Sequence, residues 1–489
     1  MLRFCSLFLL LLIMGCTASP SKKSKDNLPN ILFLFADDYT YDAIHALGND
    51  IIQTPNLDRL LHNGTHFTQA FNMGGWNGAV CMASRAMIIT GKSIWKAKAL
   101  TDQWHHKKNV EEKKNSWGKL MEKQGYQTYM SGKWHVAIDP KEIFQNVRNV
   151  RPGMPKDFFR KDNPKGYNRP IEGEKDTWSP SDSLNGGFWE GGKHWSEVGK
   201  DDAIDFLKQS HEQDAPFFMY IAFNAPHDPR QSPQSFLDRY PLEDIPLPKN
   251  WLAEYPYKDA IGNPKTLRDE ALAPFPRTPY AIKTHIKEYY AIISHLDEQI
   301  GEIMRALEAS GKADNTYIFF TGDHGLSVGK HGLLGKQSLF DHSIRVPLIV
   351  TGPDIPKNQK INHEVYLQDI MATSLHIGNI SAPPSIEFKS FLNVAQGKED
   401  KPLYPEGIYG AYIDFQRMIR KGNYKLILYP KIKKTLLFDL KNDPLEMNDL
   451  SEKIQYKDTI KNLFIDLKQL QLKMGDTLNL SKIYSLESL

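Results

Sequence analysis

The 489-residue chain holds three cysteines, Cys5, Cys16 and Cys81, and the first two fall in or beside an N-terminal apolar run. Removal of that run on export would leave Cys81 without a disulfide partner, even in an oxidising compartment. A solitary cysteine in an exported protein calls for a chemical role. A bias of charge is also lacking: 61 basic side chains stand against 58 acidic ones, for a formal net charge of +3. That balance excludes the broad basic footprint of nucleic-acid binding, so any preference for anions has to be local. Internal repeats, low-complexity tracts and any apolar run long enough for a bilayer are absent as well.

Residues 1–16 read as an export signal, because Arg3 precedes a run of Leu, Phe, Ile and Met too short to span a membrane. Ile13-Met14-Gly15-Cys16 resembles a bacterial lipobox, in which the cysteine is lipidated and becomes the new N-terminus. Cleavage near Ala18 as an ordinary signal is the alternative. Both readings send the chain to the periplasm or cell envelope, and lipid on Cys16 would tie it to a membrane. Residues 17–28 are polar and Lys-rich, as a flexible tether is.

Strand and helix patterns then alternate. Asn30–Ala36 is a continuous apolar run of strand length, Pro55 opens a helix started by Asn56 or Asp58 and stopped at Gly64, and Ser116–Gln124 reads as helical. Gln127–Met130 is a short strand, Asp201–Gln209 a helix, Phe217–Ala222 a buried strand, Lys287–Ser310 an amphipathic helix, and Tyr317–Phe320 another strand. This order predicts an α/β fold with a large, mostly parallel or mixed sheet between helices. Residues 144–195 and 228–279 break the rhythm and read as lids or binding loops. From Gly407 short strands and a final helix, about Lys457 to Met474, indicate a smaller α+β subdomain, so that 29–406 form the catalytic domain and 407–489 the C-terminal one.

The chemistry-bearing residues lie at strand ends. Asp37 and Asp38 close the first strand, at the edge where open α/β sheets carry their sites, and adjacent carboxylates that repel one another suggest a hard cation between them. Thr321-Gly322-Asp323-His324 adds a carboxylate and an imidazole at the end of a second strand. Cys81-Met82-Ala83-Ser84-Arg85, Gly132-Lys133-Trp134-His135, Asn224-Ala225-Pro226-His227 and Gly329-Lys330-His331, running on to Lys336, complete the set.

Taken together these segments resemble the sulfatase family of the alkaline-phosphatase-like superfamily, and the resemblance covers nearly the whole chain, including Arg345-Val346-Pro347-Leu348. It implies conversion of Cys81 to formylglycine by a dedicated maturase, with the hydrated aldehyde as nucleophile: one hydroxyl attacks sulfur and the other later expels sulfate. It implies one calcium ion held by Asp37, Asp38, Asp323, His324 and residue 81, although an imidazole is an unusual calcium ligand. Arg85, Lys133 and Lys336 would stabilise charge on the sulfuryl oxygens, His135 would orient the hydrate and His227 would protonate the leaving oxygen. His331 would shape the loop or touch substrate. Ala137 departs from the glycine that the family often has there.

The expected substrate is a sulfated oligo- or polysaccharide, by resemblance an algal one such as ulvan or carrageenan, with host glycosaminoglycan as the alternative. Trp76 and Trp189, and more loosely Trp104, Trp178, Phe188 and Trp195, are candidates for stacking on sugar rings. Two rival activities stand beside this reading: a phosphonate monoester hydrolase or phosphodiesterase of the same superfamily, and a glycan-binding protein in which Cys81 stays a thiol.

Overall fold

The structure, a computed structural model, describes residues 28–155, 166–184 and 187–485. The export signal and nearly all of the tether lie outside the described residues. In chain order the strands are β1 (Asn30–Ala36), β2 (Thr65–Phe71), β3 (Gly74–Gly75), β4 (Gln127–Lys133), β5 (Asn146–Arg151), β6 (Trp189–Glu190), β7 (Lys193–His194) and β8 (Phe217–Ala222). There follow β9 (Thr316–Gly322), β10 (Arg345–Thr351), β11 (Gln359–Tyr366), β12 (Ile408–Tyr412), β13 (Gln416–Lys421), β14 (Tyr424–Tyr429) and β15 (Lys434–Asp439).

Eight strands build the large sheet in the order β11-β2-β10-β9-β1-β8-β4-β5. β10 runs antiparallel to both of its neighbours and the other pairings are parallel, so the sheet is mixed. β1 sits at its centre with all seven residues buried. Its alternation divides the interior. Ile31, Phe33 and Phe35 join the core shared with the helices Val80–Thr90 and Trp117–Gln124 and with the C-terminal sheet. Leu32, Leu34 and Ala36 join the core under Pro55–His62, Trp195–His211 and Pro279–Ala309.

The second sheet, β15-β14-β13-β12-β3, is C-terminal except for β3, whose Gly74 pairs with Ala411. A strand from the first hundred residues thus crosses the boundary expected at residue 407. A Cβ on Gly74 would stand 2.1 Å from the Ala411 carbonyl oxygen, so only glycine allows this approach.

Several elements differ from the sequence expectation. β4 continues past Met130 to Lys133, because Ser131 and Gly132, polar in sequence, pair with Ile221 and Ala222 of β8. The helix expected from Lys287 starts at Pro279, where the Thr278 hydroxyl accepts from Ala281 N and proline suits the first turn. The first helix starts at Pro55; Asp58 instead accepts from Ala46 N and the Thr54 hydroxyl, a structural role. β5 lies within the stretch read as irregular, and β2, β10, β11 and β12 are added.

Candidate active site

The parallel strands β1, β4, β8 and β9 end at one edge of the sheet, and each delivers part of the site. Asp37 and Asp38 follow β1, Lys133 ends β4, His135 and His227 lie just beyond β4 and β8, and Asp323 and His324 follow β9. Consecutive residues of a strand face opposite ways. Asp38 escapes that rule by turning left-handed, with φ 64°, so that its carboxylate joins that of Asp37. One ligand atom from each of Asp37, Asp38, Asp323 and His324 lies within 4.8 Å of the others, all buried, although nearly three hundred positions separate the ends of the set.

The electrostatics of this cluster indicate what it is built to hold. Burial and the neighbouring Asp323 push the Asp37 carboxyl well above the usual range, and burial also raises that of Asp38. Asp323 is held low despite burial by His324, Arg85 and Lys133. Burial disfavours a charged His324, yet Asp323 and Asp38 outweigh it and raise the imidazole to about 9. Asp37 Oδ1 and His324 Nε2 are buried without a hydrogen-bond partner. An unpaired carboxylate oxygen and an imidazole nitrogen that becomes a ligand on losing its proton, beside mutually repelling carboxylates, fit a cation with mostly oxygen ligands.

Cys81 stands in the first turn of Val80–Thr90, with its sulfur 3.3 Å from His135 Nδ1. Burial alone would raise the thiol; Lys133, Lys336 and His135 outweigh it and bring it well below the ordinary value. The helix N-terminus favours negative charge at the same place. Arg85, one turn on and fully buried, donates to Asp323 Oδ2 at 2.9 Å and to the Lys133 carbonyl at 2.8 Å, and its guanidinium lies 4.6 Å from the Phe35 ring centroid. Ser84 Oγ donates to the Asp323 carbonyl at 2.7 Å, so the cysteine-bearing helix is fastened to the acidic cluster.

Lys133 pairs with Asp37 in a short contact. Lys336 donates to Asp38 Oδ1 at 2.8 Å and lies 2.8 Å from His227 Nε2. His227 Nδ1 faces the Asp228 carbonyl at 2.7 Å, which assigns the proton to Nδ1 and leaves Nε2 to accept from the lysine. Burial, reinforced by Lys336, Lys133 and Arg268, keeps that imidazole neutral well below its usual range.

Cys81, His135, His227 and Lys336 line a cleft of about 170 Å³ whose other walls include Met154, Leu267, Arg268, Asp269 and Gln337. Arg268 pairs with Asp228 and Asp269, and its Nη2 is 3.4 Å from His227 Nε2. Sequence reasoning missed Arg268, Asp269 and Gln337. They lie on irregular chain with no periodicity, and the one signal for Gln337 was its adjacency to Lys336.

Three expected substrate contacts lie elsewhere. His331 is buried, stacks on Phe340 with ring centroids 4.1 Å apart, and meets the Glu446 carbonyl through Nε2 at 3.0 Å. Trp76 packs in the core, and Trp189 sits against His194. None of the three lines the cleft.

An open α/β sheet with a buried acidic cluster able to hold a cation, buried basic groups and a cysteine in the first turn of a helix fits a hydrolase of anionic esters. Residues 29–380 match the family model described as Sulfatase, and 329–473 that of the N-sulphoglucosamine sulphohydrolase C-terminal region. The chain belongs to the sulfatase family and is a sulfuric ester hydrolase. It is 25% identical to the N-acetylglucosamine-6-O-sulfatase of Bacteroides thetaiotaomicron, over 95% of this chain and 90% of that one. It is also 25% identical to an ulvan-active sulfatase of Formosa agariphila, over 92% and 82%. A protein solved with its substrate D-glucosamine-2-N,6-O-disulfate superposes with a TM-score of 0.72 at 24% identity, covering 92% of this chain and 99% of that one.

Proposed function

We propose that the protein is an exported, calcium-dependent sulfatase that removes a sulfate ester from a sulfated saccharide, with formylglycine made from Cys81 as its nucleophile. The observation that carries this reading is the convergence of Cys81, Lys133, His227 and Lys336 with the carboxylate cluster on one sheet edge. Asp37, Asp38, Asp323 and His324 would hold the ion, which when bound draws electron density from the sulfate. Five carboxylates in and beside the cleft, including Asp228 and Asp269, face four cations, Arg85, Lys133, Arg268 and Lys336. With His324 giving up its proton to ligate the ion, one dication and one sulfate monoester would bring that set to neutrality.

In the reaction, one hydroxyl of the hydrated aldehyde would give its proton to the Asp37 carboxylate, within 4.8 Å of the residue 81 side chain, as it attacks sulfur and the S–O bond to the sugar oxygen breaks. The hydrogen-bonded Lys336–His227 pair supplies that oxygen with a proton. The second hydroxyl gives its proton to His135, beside residue 81, as the carbonyl re-forms and sulfate leaves. Arg85 holds Asp323 and the Lys133 carbonyl and so keeps the machinery in register. Export rests on the apolar N-terminal run, and lipid on Cys16 would anchor the enzyme.

A glucosamine sulfate is placed ahead of ulvan and carrageenan as the substrate. Both the C-terminal family match and a relative that spans nearly the whole chain carry glucosamine sulfatase names. The test is sulfate release by protein made with the maturase, offered N-acetylglucosamine 6-sulfate, ulvan and carrageenan oligosaccharides, and a phosphonate monoester. A sulfated saccharide should be turned over fastest, and a chelator should stop turnover until calcium is restored. Faster cleavage of the phosphonate, or full activity after metal removal, would refute the reading.

A further inference from the structure

The large sheet ends in β10, β2 and β11, and there a polar cleft of about 370 Å³ lies open, sharing no lining residue with the cleft around Cys81. We propose that this cleft is a second binding site, for a chain of sulfated sugar. It rests on the reading of the substrate as a sulfated saccharide and adds to it a place where the polymer docks away from the chemistry.

The cleft carries three basic side chains, His66, Lys360 and Arg345, and no carboxylate among its lining residues. Lys360 and His66 stand directly opposite one another on β11 and β2, so that they share a face of the sheet. Thr68, two residues on, shares that face and donates to Asn362 Oδ1 at 2.9 Å. Arg345 is fixed in place: its Nε donates to the Thr68 carbonyl at 2.7 Å and its guanidinium covers the Tyr41 ring at 4.0 Å. Asp341, 3.7 Å from Arg345 Nη1, is already engaged by Lys425 and Arg420, and Glu364, opposite Gln69, by Arg420.

Edge strands often carry lysine to discourage pairing with another sheet, and Lys360 alone would fit that role. Two further atoms do not. His66 Nδ1 and Gln69 Oε1 are buried without any hydrogen-bond partner, a costly state for groups beside a cleft unless a ligand completes them. The held Arg345 guanidinium and the Lys360 ammonium, with imidazole, amide and hydroxyl groups between them, match an alternation of sulfates and hydroxyls. In a chain of nearly balanced charge, this acid-free patch is complementary to such a polyanion.

The test is electrophoresis of the full chain through native gels containing heparin or ι-carrageenan, with dextran as the neutral control. The parent should be retarded by the sulfated polymers and not by dextran. Lys360→Glu should weaken that retardation roughly fivefold, the scale of one screened surface ion pair. Gln69→Ala should weaken it without changing charge. Lys457→Glu, which alters net charge equally at an exposed position outside the cleft, should migrate like the parent once corrected for charge. Both cleft variants should keep the parent's kcat/KM on 4-nitrophenyl sulfate, which separates this claim from the catalytic one. Unchanged retardation in Lys360→Glu and Gln69→Ala, equal retardation by dextran, or no retardation of the parent would overturn the proposal.

Discussion

At the scale of single residues, the site separates nucleophile from acid. His227 accepts from Lys336 through Nε2 while Nδ1 faces the Asp228 carbonyl, so on the proposed reading it would relay a proton from Lys336 to the departing oxygen. A sugar alkoxide needs that proton; a nitrophenolate scarcely does. His227→Ala should therefore lose about 10²–10⁴-fold in kcat/KM on a sugar sulfate and far less on 4-nitrophenyl sulfate. Equal losses on the two substrates, measured side by side, would remove His227 from the role of acid.

At the scale of elements, what matters is how closely β4 approaches β8. Gly132 has φ 93°, and a Cβ there would lie 1.8 Å from the Ala222 carbonyl oxygen. Gly132→Ala should force the two strands apart just where Lys133 leaves the sheet, giving a protein that is insoluble or melts well below the parent. A soluble variant with parental melting temperature would contradict this account of the turn. The elements that sequence made visible were those whose pattern is local. β1 and β8 are unbroken apolar runs, and both were delimited to the residue. The end of β4, the strand β5 and the first turns of Pro279–Ala309 were not, because Ser131, Gly132 and the polar residues of β5 owe their strand state to neighbours distant in the chain. The same distinction divides the site. Asp37, Cys81, Lys133, His227 and Asp323 sit in compact motifs, whereas Arg268 and Asp269 reach the cleft on irregular chain and meet Asp228 only in three dimensions. His331, read from its glycine-rich motif as shaping the loop or touching substrate, serves the seam with the C-terminal sheet.

At the scale of the whole molecule, that seam joins the two sheets. His331 and Phe340 stack there, while Asp341 accepts from Arg420 at 3.0 Å and from Lys425 at 2.8 Å. Burial, with Lys425 and Lys330 adding to it, pushes His331 down to about 4. An unfolded histidine titrates near 6.5, so between those values the unfolded chain binds the proton first. The stability that neutral His331 contributes is complete above pH 6.5 and is lost as pH falls towards 4. In thermal melts from pH 7 to pH 4.5, His331→Gln should show a shallower fall than the parent. Parallel curves would mean that this ring does not titrate with unfolding. The molecule-wide claim, that two sheets and four strand ends are assembled around residue 81 as a catalytic aldehyde, meets its most direct test in the count of sulfate released per chain. Parent enzyme made with the maturase should release sulfate over many turnovers. Cys81→Ser keeps one hydroxyl for attack and has none with which to expel the product, so it should stop at no more than one sulfate per chain, retained as a covalent ester on residue 81. Continuous release by Cys81→Ser at a rate near the parent's would contradict the account.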